Sequence, residues 1–247
     1  MEILGIDVGG TGIKGALVDA QTGKLTTERH RIPTPNPATP EAVANTIKQL
    51  VNHFNWKGIV GCGFPTPLQH GKCLTGGNLH KDWKGTQVNE LFKAKTGNDF
   101  FIVNDADAAG LAEINFGAGK GVKGVVLMIT LGTGIGSGLF LDGKLLPNTE
   151  FGHVLHKNGE IFEKYASDSA RKRDGLSIKE WGKRLHKYFK HLNLLLSPDL
   201  IIIGGGASKK FDKFEAELNI NVPIVSAEAE NEAGIIGAAM AANFHIK

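Results

Sequence analysis

Residues 5–19 read GIDVGGTGIKGALVD, a glycine-rich run between two apolar, strand-like segments. This pattern predicts two antiparallel strands joined by a glycine turn. Residues 130–139, TLGTGIGSGL, repeat it, and Gly-Thr-Gly-Ile recurs at an offset of 122 residues, at Gly10–Ile13 and Gly132–Ile135. The repeat predicts a duplicated α/β unit whose two lobes face each other across a cleft for a phosphorylated ligand.

The composition is that of an ordinary globular protein. The chain has 247 residues, of which 41% are hydrophobic and 21% charged, so it can form one large or two small domains. No apolar run reaches the roughly 20 residues of a membrane span, and residues 1–10 do not resemble a signal peptide. We therefore expect a cytoplasmic protein that binds no membrane. Cys62 and Cys73 lack a C-x-x-C spacing, and we expect free, reduced thiols.

Strand and helix patterns alternate along the chain, which indicates an α/β fold. Thr39 and Pro40 are typical of a helix start, and apolar residues repeat at helical spacing as far as Phe54. Further helices are predicted near residues 87–96 and 105–116. The capping box Ser177-x-x-Glu180 begins a long helix. A third strand is expected at residues 24–32.

The glycine turns are candidate phosphate sites, because glycine lets backbone N–H groups approach an anion closely. Taken alone, either turn is explained more simply as a tight hairpin. A third cluster at residues 204–206, where a strand passes into a predicted helix, favours phosphate binding. No Gly-Lys pair is followed by Ser or Thr, so there is no P-loop. Gly10-x-Gly12-x-x-Gly15 precedes a strand pattern, which excludes a dinucleotide fingerprint.

Five motifs together resemble the ROK family of sugar kinases, and most closely its polyphosphate glucokinase branch. In order they are GIDVGGTGIKGALVD, NDADAAGLAE, TLGTGIGSGL, NTEFGH and IIIGGGASKK, and they span nearly the whole chain. The resemblance implies an actin-like ATPase (sugar kinase) fold of two α/β lobes with a cleft between them. The small lobe is expected to comprise residues 1–104 plus 234–247, and the large lobe residues 105–233. The family also implies a homodimer.

Asp105 is the predicted catalytic residue. It follows the strand-like FFIVN and matches the family aspartate that accepts the proton of the glucose 6-hydroxyl during phosphoryl transfer. Aspartate is also a common N-cap, and the two roles are compatible. We interpret Asp107, in the first helical turn, as structural.

The resemblance also implies a glucose-binding set. Its members are Asn78, Asn104, Asp105, Glu150, His153 and Glu163. Glu150 and His153 belong to NTEFGH, and Glu163 begins EKYAS. Many family members carry a zinc-binding cysteine cluster after the Gly-His pair, but residues 153–167 contain no cysteine. We therefore expect no zinc, and a His153 oriented by other means.

The phosphate donor is expected to contact the glycine clusters and their neighbours. The predicted contacts are Asp7, Gly9, Gly10, Thr11, Gly12, Lys14, Gly132, Thr133, Gly134, Gly204, Gly205 and Gly206, together with Arg171, Lys172 and Arg173. Mg²⁺ is the expected cofactor, held by Asp7 through water. The offset of 122 residues places Ile129 at the position of Asp7 in the second hairpin.

Residues 164–190 form a basic tract with nine Lys and Arg against three acids, a net charge of +6 in a chain of net +3. Such a tract is suited to a long polyanion, and inorganic polyphosphate agrees with the resemblance. A solvated helix face opposite an apolar stripe explains the same pattern. Residues 170–177, ARKRDGLS, most resemble the polyphosphate branch. The tract has no nucleic-acid motif, so we expect no nucleic-acid partner.

Two alternatives to a polyphosphate-dependent enzyme stay open. A strictly ATP-dependent glucokinase or related hexose kinase would use the same catalytic residues. A non-catalytic sugar sensor would not need the intact Asp105, which argues against it. The chain begins directly in its first predicted strand, which argues against a DNA-binding family repressor.

Overall fold

The computed structural model describes residues 1–77 and 79–246. The strands are β1 (Glu2–Val8), β2 (Gly12–Asp19), β3 (His30–Pro33), β4 (Val60–Phe64), β5 (Leu68–Gln69), β6 (Lys72–Cys73), β7 (Phe100–Asn104), β8 (Val125–Leu131), β9 (Ile135–Leu141), β10 (Lys144–Leu146), β11 (Leu200–Gly204) and β12 (Ile224–Ser226). The α-helices are α1 (Pro40–His53), α2 (Val88–Thr96), α3 (Asp105–Phe116), α4 (Phe162–Ala166), α5 (Asp168–Arg173), α6 (Ile178–Leu196) and α7 (Ala233–Ile246). No described helix combines the length and apolar character needed to cross a membrane.

The chain divides into two compact units, Met1–Ala112 with Glu232–Lys247, and Glu113–Asn231. Each contains a five-stranded sheet, ordered β3-β2-β1-β4-β7 in the first unit and β10-β9-β8-β11-β12 in the second. In both sheets three strands form an antiparallel meander and two further strands join in parallel. The predicted duplication of an α/β unit is confirmed by this shared topology. The predicted lobe boundary after Asn104 stays a prediction.

The core of the first unit lies between its sheet and amphipathic helices. Thr39 Oγ1 accepts the N–H of Ala42 at 3.3 Å, which confirms the predicted start of α1. The apolar side of α1 is fully buried at Val43, Ile47 and Leu50. Burial of each such side chain contributes about 1.5–3 kcal/mol, so this face fixes the helix against the sheet.

Helix α6 forms much of the core of the second unit. Ser177 and Glu180 make the predicted capping box, in which Ser177 Oγ accepts the Glu180 N–H at 3.2 Å and Glu180 Oε2 accepts the Ser177 N–H at 2.9 Å. Trp181, Leu185 and Leu192 are fully buried, as the sequence pattern predicts. Trp181 Nε1 also donates to Ala166 O at 2.7 Å, which ties α6 to α4.

Two elements differ from the sequence-based expectation. The third strand covers His30–Pro33 rather than residues 24–32. Leu25 still pairs with Val18 as an isolated bridge, but the Leu17 N–H then donates to Thr27 Oγ1 instead of to a backbone carbonyl, which interrupts the ladder. The segment after β11 is a 3₁₀-helix, Gly205–Lys213, rather than an α-helix. A 3₁₀-helix has poorer hydrogen-bond geometry, so its N-terminus is a weaker anion site than the predicted one.

Candidate active site

The first glycine turn joins β1 to β2 and is closed by its own backbone. The N–H of Gly9 donates to Gly12 O at 3.1 Å, and Gly10 and Thr11 lie exposed at the tip. Arg31 Nη2, from β3, donates to Thr11 O at 2.6 Å. The turn thus combines exposed backbone with a guanidinium, a combination suited to phosphate oxygens.

Asp7 and Lys14 are cross-strand partners beside this turn. Lys14 Nζ lies 3.2 Å from Asp7 Oδ2, and the Asp7 side chain is 19% exposed. Mg²⁺ keeps several waters and takes one or two carboxylates plus substrate phosphates, so a single partly exposed carboxylate fits a water-mediated contact. Within the described residues no three His, Cys, Asp or Glu side chains are grouped as metal ligands.

The second glycine turn is one residue shorter than the first. Val8 pairs with Ile13 across the first turn, whereas Leu131 pairs with Ile135 across the second. In the ladder, Thr130 therefore lies at the position of Asp7. The sequence-based choice of Ile129 was wrong, because a constant offset ignores the difference in turn length. Neither Ile129 nor Thr130 has a carboxylate, so the second hairpin has no equivalent of the Asp7 side chain.

Glu163 attaches α4 to the second glycine turn. Its Oε2 accepts the N–H of Ile135 at 2.8 Å, and a Cβ at Gly134 would collide with the same oxygen. A side chain at this position would therefore displace the Glu163 carboxylate from its present place. The N–H of Ser169 also donates to Gly132 O, at 3.4 Å. Glu163, a predicted sugar ligand, thus contacts the second glycine turn, which is predicted to bind the phosphate donor.

Strand β9 also holds the segment that carries Glu150 and His153. Ser137 Oγ, fully buried, donates to Thr149 O at 2.7 Å and accepts the Phe151 N–H at 2.9 Å. The hydroxyl therefore fixes the backbone on both sides of Glu150. His153 lies one turn of 3₁₀-helix later, with Nδ1 3.8 Å from Glu150 Oε2.

The surroundings of Glu150 favour the protonated form of its carboxyl. Burial raises the pKa of its carboxyl, the charge of His153 lowers it, and the charge of Glu163 raises it again, with a net increase. The three predicted sugar ligands of the second unit therefore influence one another, and His153 Nδ1 lies 3.8 Å from Glu150 Oε2. Two carboxylates and an imidazole provide acceptors and a donor for sugar hydroxyls.

Asn104 and Asp105 lie where β7 passes into α3. The buried Asn104 accepts the N–H of Ala106 through Oδ1 at 2.9 Å, in the manner of an N-cap. Asp105 begins α3 with an exposed side chain, and its Oδ1 lies 2.8 Å from the same N–H. Asp107 is buried in the first helical turn, in agreement with a structural role. Asn78 lies outside the described residues.

The third glycine cluster continues from the buried strand β11. Gly204 ends the strand, and Gly205 adopts a φ of +72°. Gly206 has open space at its Cβ position. The backbone therefore turns at Gly205, and the predicted donor contacts lie at this turn.

The basic tract is partly neutralised by its own acids. Asp168 pairs with Arg171 and Lys172, at 2.7 and 2.9 Å, and Asp174 pairs with Arg173 at 2.7 Å. Arg173 and Arg184 lower the pKa of Asp174 to about 2. The Arg171 side chain is only 16% exposed. The three cations predicted to bind the donor thus already have carboxylate partners, and their donor role stays a prediction.

Sequence reasoning missed two residues of this site. Arg31 lies 19 residues beyond the first glycine turn, and only strand pairing brings it back to Thr11. Ser137 is one of several small residues in β9, and its two hydrogen bonds depend on a segment 12 to 14 residues away. The alternation HRIP at residues 30–33 is the only local signal that places Arg31 on one face of a strand.

A model of the ROK family matches residues 3–164. The chain belongs to the ROK family. One ROK relative is a polyphosphate glucokinase of Mycobacterium tuberculosis (strain CDC 1551 / Oshkosh), 45% identical over 238 residues, which cover 96% of this chain and 89% of the relative. The polyphosphate glucokinase of Mycobacterium leprae (strain TN) is 42% identical, over 96% of this chain and 73% of its own length.

Solved ROK structures have the same fold. The inorganic polyphosphate/ATP-glucomannokinase from Arthrobacter sp. strain KM is 48% identical, with a TM-score of 0.93 and 99% coverage of both chains. A ROK family glucokinase from Streptomyces griseus, in complex with glucose and AMPPNP, is 24% identical with a TM-score of 0.81, covering 99% of this chain and 100% of its own. The predicted actin-like ATPase fold of the sugar kinases is confirmed.

Proposed function

We propose that this ROK protein transfers a phosphoryl group from inorganic polyphosphate to the 6-hydroxyl of glucose. The observation that carries the proposal is the 48% identity to the Arthrobacter polyphosphate/ATP-glucomannokinase over 99% of both chains. The 45% identity to a polyphosphate glucokinase over 96% of the chain supports the same donor.

Asp105 is the proposed general base. The oxygen of the 6-hydroxyl attacks the terminal phosphorus, the bond from that phosphorus to the bridging oxygen breaks, and the polyphosphate leaves one phosphate shorter. Asp105 accepts the hydroxyl proton as the new bond forms. An exposed carboxylate at the start of α3, which shares the Ala106 N–H with Asn104, supports this assignment.

Glu150, His153 and Glu163 are proposed to bind the sugar hydroxyls, with Asn78 and Asn104 completing the set. Each hydroxyl that leaves water must find a partner, because a buried unpaired polar group costs about 1–3 kcal/mol. The contact of Glu163 with Ile135 N–H occupies Oε2, and Oε1 is the oxygen proposed for the sugar.

The glycine turns, Lys14 and Arg31 are proposed to bind the terminal phosphates of the donor. Bound Mg²⁺ would neutralise charge on the transferring phosphate, and Asp7 is the residue proposed to hold it through water. The magnesium requirement, the cytoplasmic location and the homodimer expected from the family stay predictions.

ATP is a second proposed donor and mannose a second proposed acceptor. Both are supported by the Arthrobacter enzyme, a polyphosphate/ATP-glucomannokinase. A strictly ATP-dependent enzyme and a non-catalytic sugar sensor are the alternatives that the experiment below distinguishes.

The test is a glucose 6-phosphate assay of the full chain with Mg²⁺, glucose and either long-chain polyphosphate, ATP or buffer. We expect product with polyphosphate. Product with ATP alone supports the ATP-dependent alternative, and no product with either donor supports the sensor.

Asp105→Asn is expected to lower kcat about 10²-fold or more while glucose binding persists. Asp99→Asn, an exposed aspartate just before β7, is the matched control. An Asp105→Asn variant with more than about a tenth of the wild-type kcat contradicts the assignment, since that is only about 1.4 kcal/mol of barrier.

A further inference from the structure

Helix α6 carries a row of lysines that the internal ion pairs leave unneutralised. Lys183, Lys187 and Lys190 are exposed and follow one another at i, i+4 and i+7. None of the three forms an ion pair with a described residue, whereas Lys179 and Arg184 pair with acids. At a rise of about 1.5 Å per residue the row extends about 10 Å along the helix.

Tyr165 and the residues in contact with its ring form the surface beside this row. The ring of Tyr165, on α4, stacks on His156 at 4.2 Å, and the Arg184 guanidinium lies 4.6 Å from the ring centroid. Arg184 also donates to Tyr165 O at 2.9 Å, and Lys187 Nζ lies 3.2 Å from the Tyr165 hydroxyl. Because His156 and Arg184 already contact this ring, it is poorly suited to stack a nucleobase.

Two lysines and one glutamate act on the protonation of His156 beside the row. The pKa of His156 is lowered first by burial and then by the charges of Lys157 and Lys187, with a smaller contribution of the same sign from His191. Glu160 opposes these charges, but the net shift is downward. Surplus positive charge without carboxylate partners indicates a surface suited to an anion.

The row lies on α6, which is hydrogen-bonded to α4, and α4 and α5 in turn contact the second glycine turn. Helix α4 carries Glu163, which binds the Ile135 N–H of that turn, and two residues later Tyr165, which contacts Lys187 of α6. Ser169, at the start of α5, binds Gly132 O of the same turn. A chain that begins at the turn and continues along α4 and α6 stays within the second unit.

We propose that Lys183, Lys187 and Lys190, with Lys157 beside them, bind the part of a polyphosphate chain that extends beyond the glycine turns. The proposal rests on the proposed function, since it assigns the donor of that reaction. A linear polyanion with a charge on every phosphate matches a row of ammonium groups. A nucleotide triphosphate has only three phosphates, so it offers the row fewer charges than a long polyphosphate does.

The test compares two triple variants with equal loss of charge. Lys183→Gln/Lys187→Gln/Lys190→Gln removes the row, and Lys120→Gln/Lys123→Gln/Lys144→Gln removes three exposed lysines elsewhere in the second unit. We expect the first to raise KM for long-chain polyphosphate about tenfold, because three exposed charge contacts of modest individual strength are lost together. KM for tripolyphosphate, ATP and glucose should change less than about twofold. Added salt should reduce the difference.

Two further variants and readouts separate the alternatives. Lys172→Gln/Arg173→Gln, which removes two ion-paired cations, is expected to change KM for long-chain polyphosphate less than the row variant does. The pKa of His156, followed by NMR, is expected to rise when polyphosphate is added to the wild type and to stay unchanged in the row variant. Thermal unfolding of every variant confirms that it is folded.

Several results would overturn the proposal. Equal changes of KM for long-chain polyphosphate in the two triple variants would show that only the net charge of the protein matters. An unchanged KM in the row variant would show that the three lysines do not bind the donor. Competition by single-stranded RNA of matched length as strong as that by polyphosphate indicates an unspecific polyanion surface. Direct titration of polyphosphate without glucose tests the row even if no glucose 6-phosphate forms, so the two proposals can fail separately.

Discussion

Glu150 is the predicted sugar ligand whose protonation the fold changes most clearly. Burial and the charge of Glu163 raise its pKa above the usual value of 4.5, and His153 opposes this in part. A raised pKa means that the folded protein favours the protonated carboxyl. Ionised Glu150 therefore reduces stability near neutral pH, and this loss disappears as the pH falls through the raised pKa.

The raised pKa of Glu150 also predicts how kcat/KM for glucose falls at acid pH. If the ionised Glu150 accepts hydrogen bonds from glucose, kcat/KM for glucose should fall on the acid side around a pKa above 4.5. Glu150→Gln should lower kcat/KM at neutral pH and remove this limb, while making the protein more stable there. A pH profile of kcat/KM together with thermal unfolding measures both effects. Glu215→Gln, at an exposed position, should leave the profile unchanged, and an acid limb that persists in Glu150→Gln would assign it to another group.

At the level of secondary structure, β9 is the frame of the predicted sugar site. Its first residue, Ile135, binds Glu163, and its third, Ser137, holds the backbone on both sides of Glu150. The second glycine turn directly precedes this strand. One element thus sets the positions of two predicted sugar ligands relative to a predicted donor turn, within one compact unit.

Ser137→Ala tests this framing role. The substitution removes the acceptor of the Phe151 N–H and the donor to Thr149 O, and each lost buried partner costs about 1–3 kcal/mol. We expect KM for glucose to rise about tenfold or more, with KM for polyphosphate changed far less. Ser226→Ala, which removes a strand hydroxyl from β12, is the control. Equal increases of both KM values in Ser137→Ala would indicate a general loss of structure instead.

On the scale of the whole molecule, the two compact units contain different spectroscopic and chemical probes. Cys62 and Cys73 are both buried in the first unit, and burial raises the pKa of each thiol. Trp181 is buried in the second unit and is the only tryptophan there among the described residues. The sequence-based expectation of unpaired cysteines agrees with this arrangement.

Thiol labelling should therefore report opening of the first unit alone. Since the thiolate is the reactive form, both burial and a raised pKa suppress the reaction. We expect a disulfide reagent such as DTNB to modify neither thiol on the time scale of native handling, and both after unfolding in denaturant. A Cys62→Ser/Cys73→Ser variant sets the background rate. Rapid labelling of the native chain would contradict the packing of β4 and β6.

Local features were predictable because they depend on neighbouring residues. The N-cap at Thr39, the capping box at Ser177 and the two glycine hairpins follow from short-range hydrogen bonding and backbone freedom. The third strand was predicted to start too early because the Thr27 hydroxyl takes the Leu17 N–H and interrupts the pairing that begins at Leu25. Ile129 was chosen in place of Thr130 because a ladder register depends on turn length, which the repeat alone does not contain.

The sequence by itself determined the α/β class, the repeated hairpins and, through its motifs, the candidate residues Asp105, Glu150 and Glu163. Only the tertiary structure decided which charges neutralise one another. It paired Arg184 with Asp174, ten residues earlier in the chain, and left Lys187 without a carboxylate partner among the described residues. The physical reason is that an exposed ion pair contributes at most about 1 kcal/mol and depends on side-chain proximity in space. Charge proximity of this kind leaves no periodic signal in the chain, whereas burial and backbone conformation do.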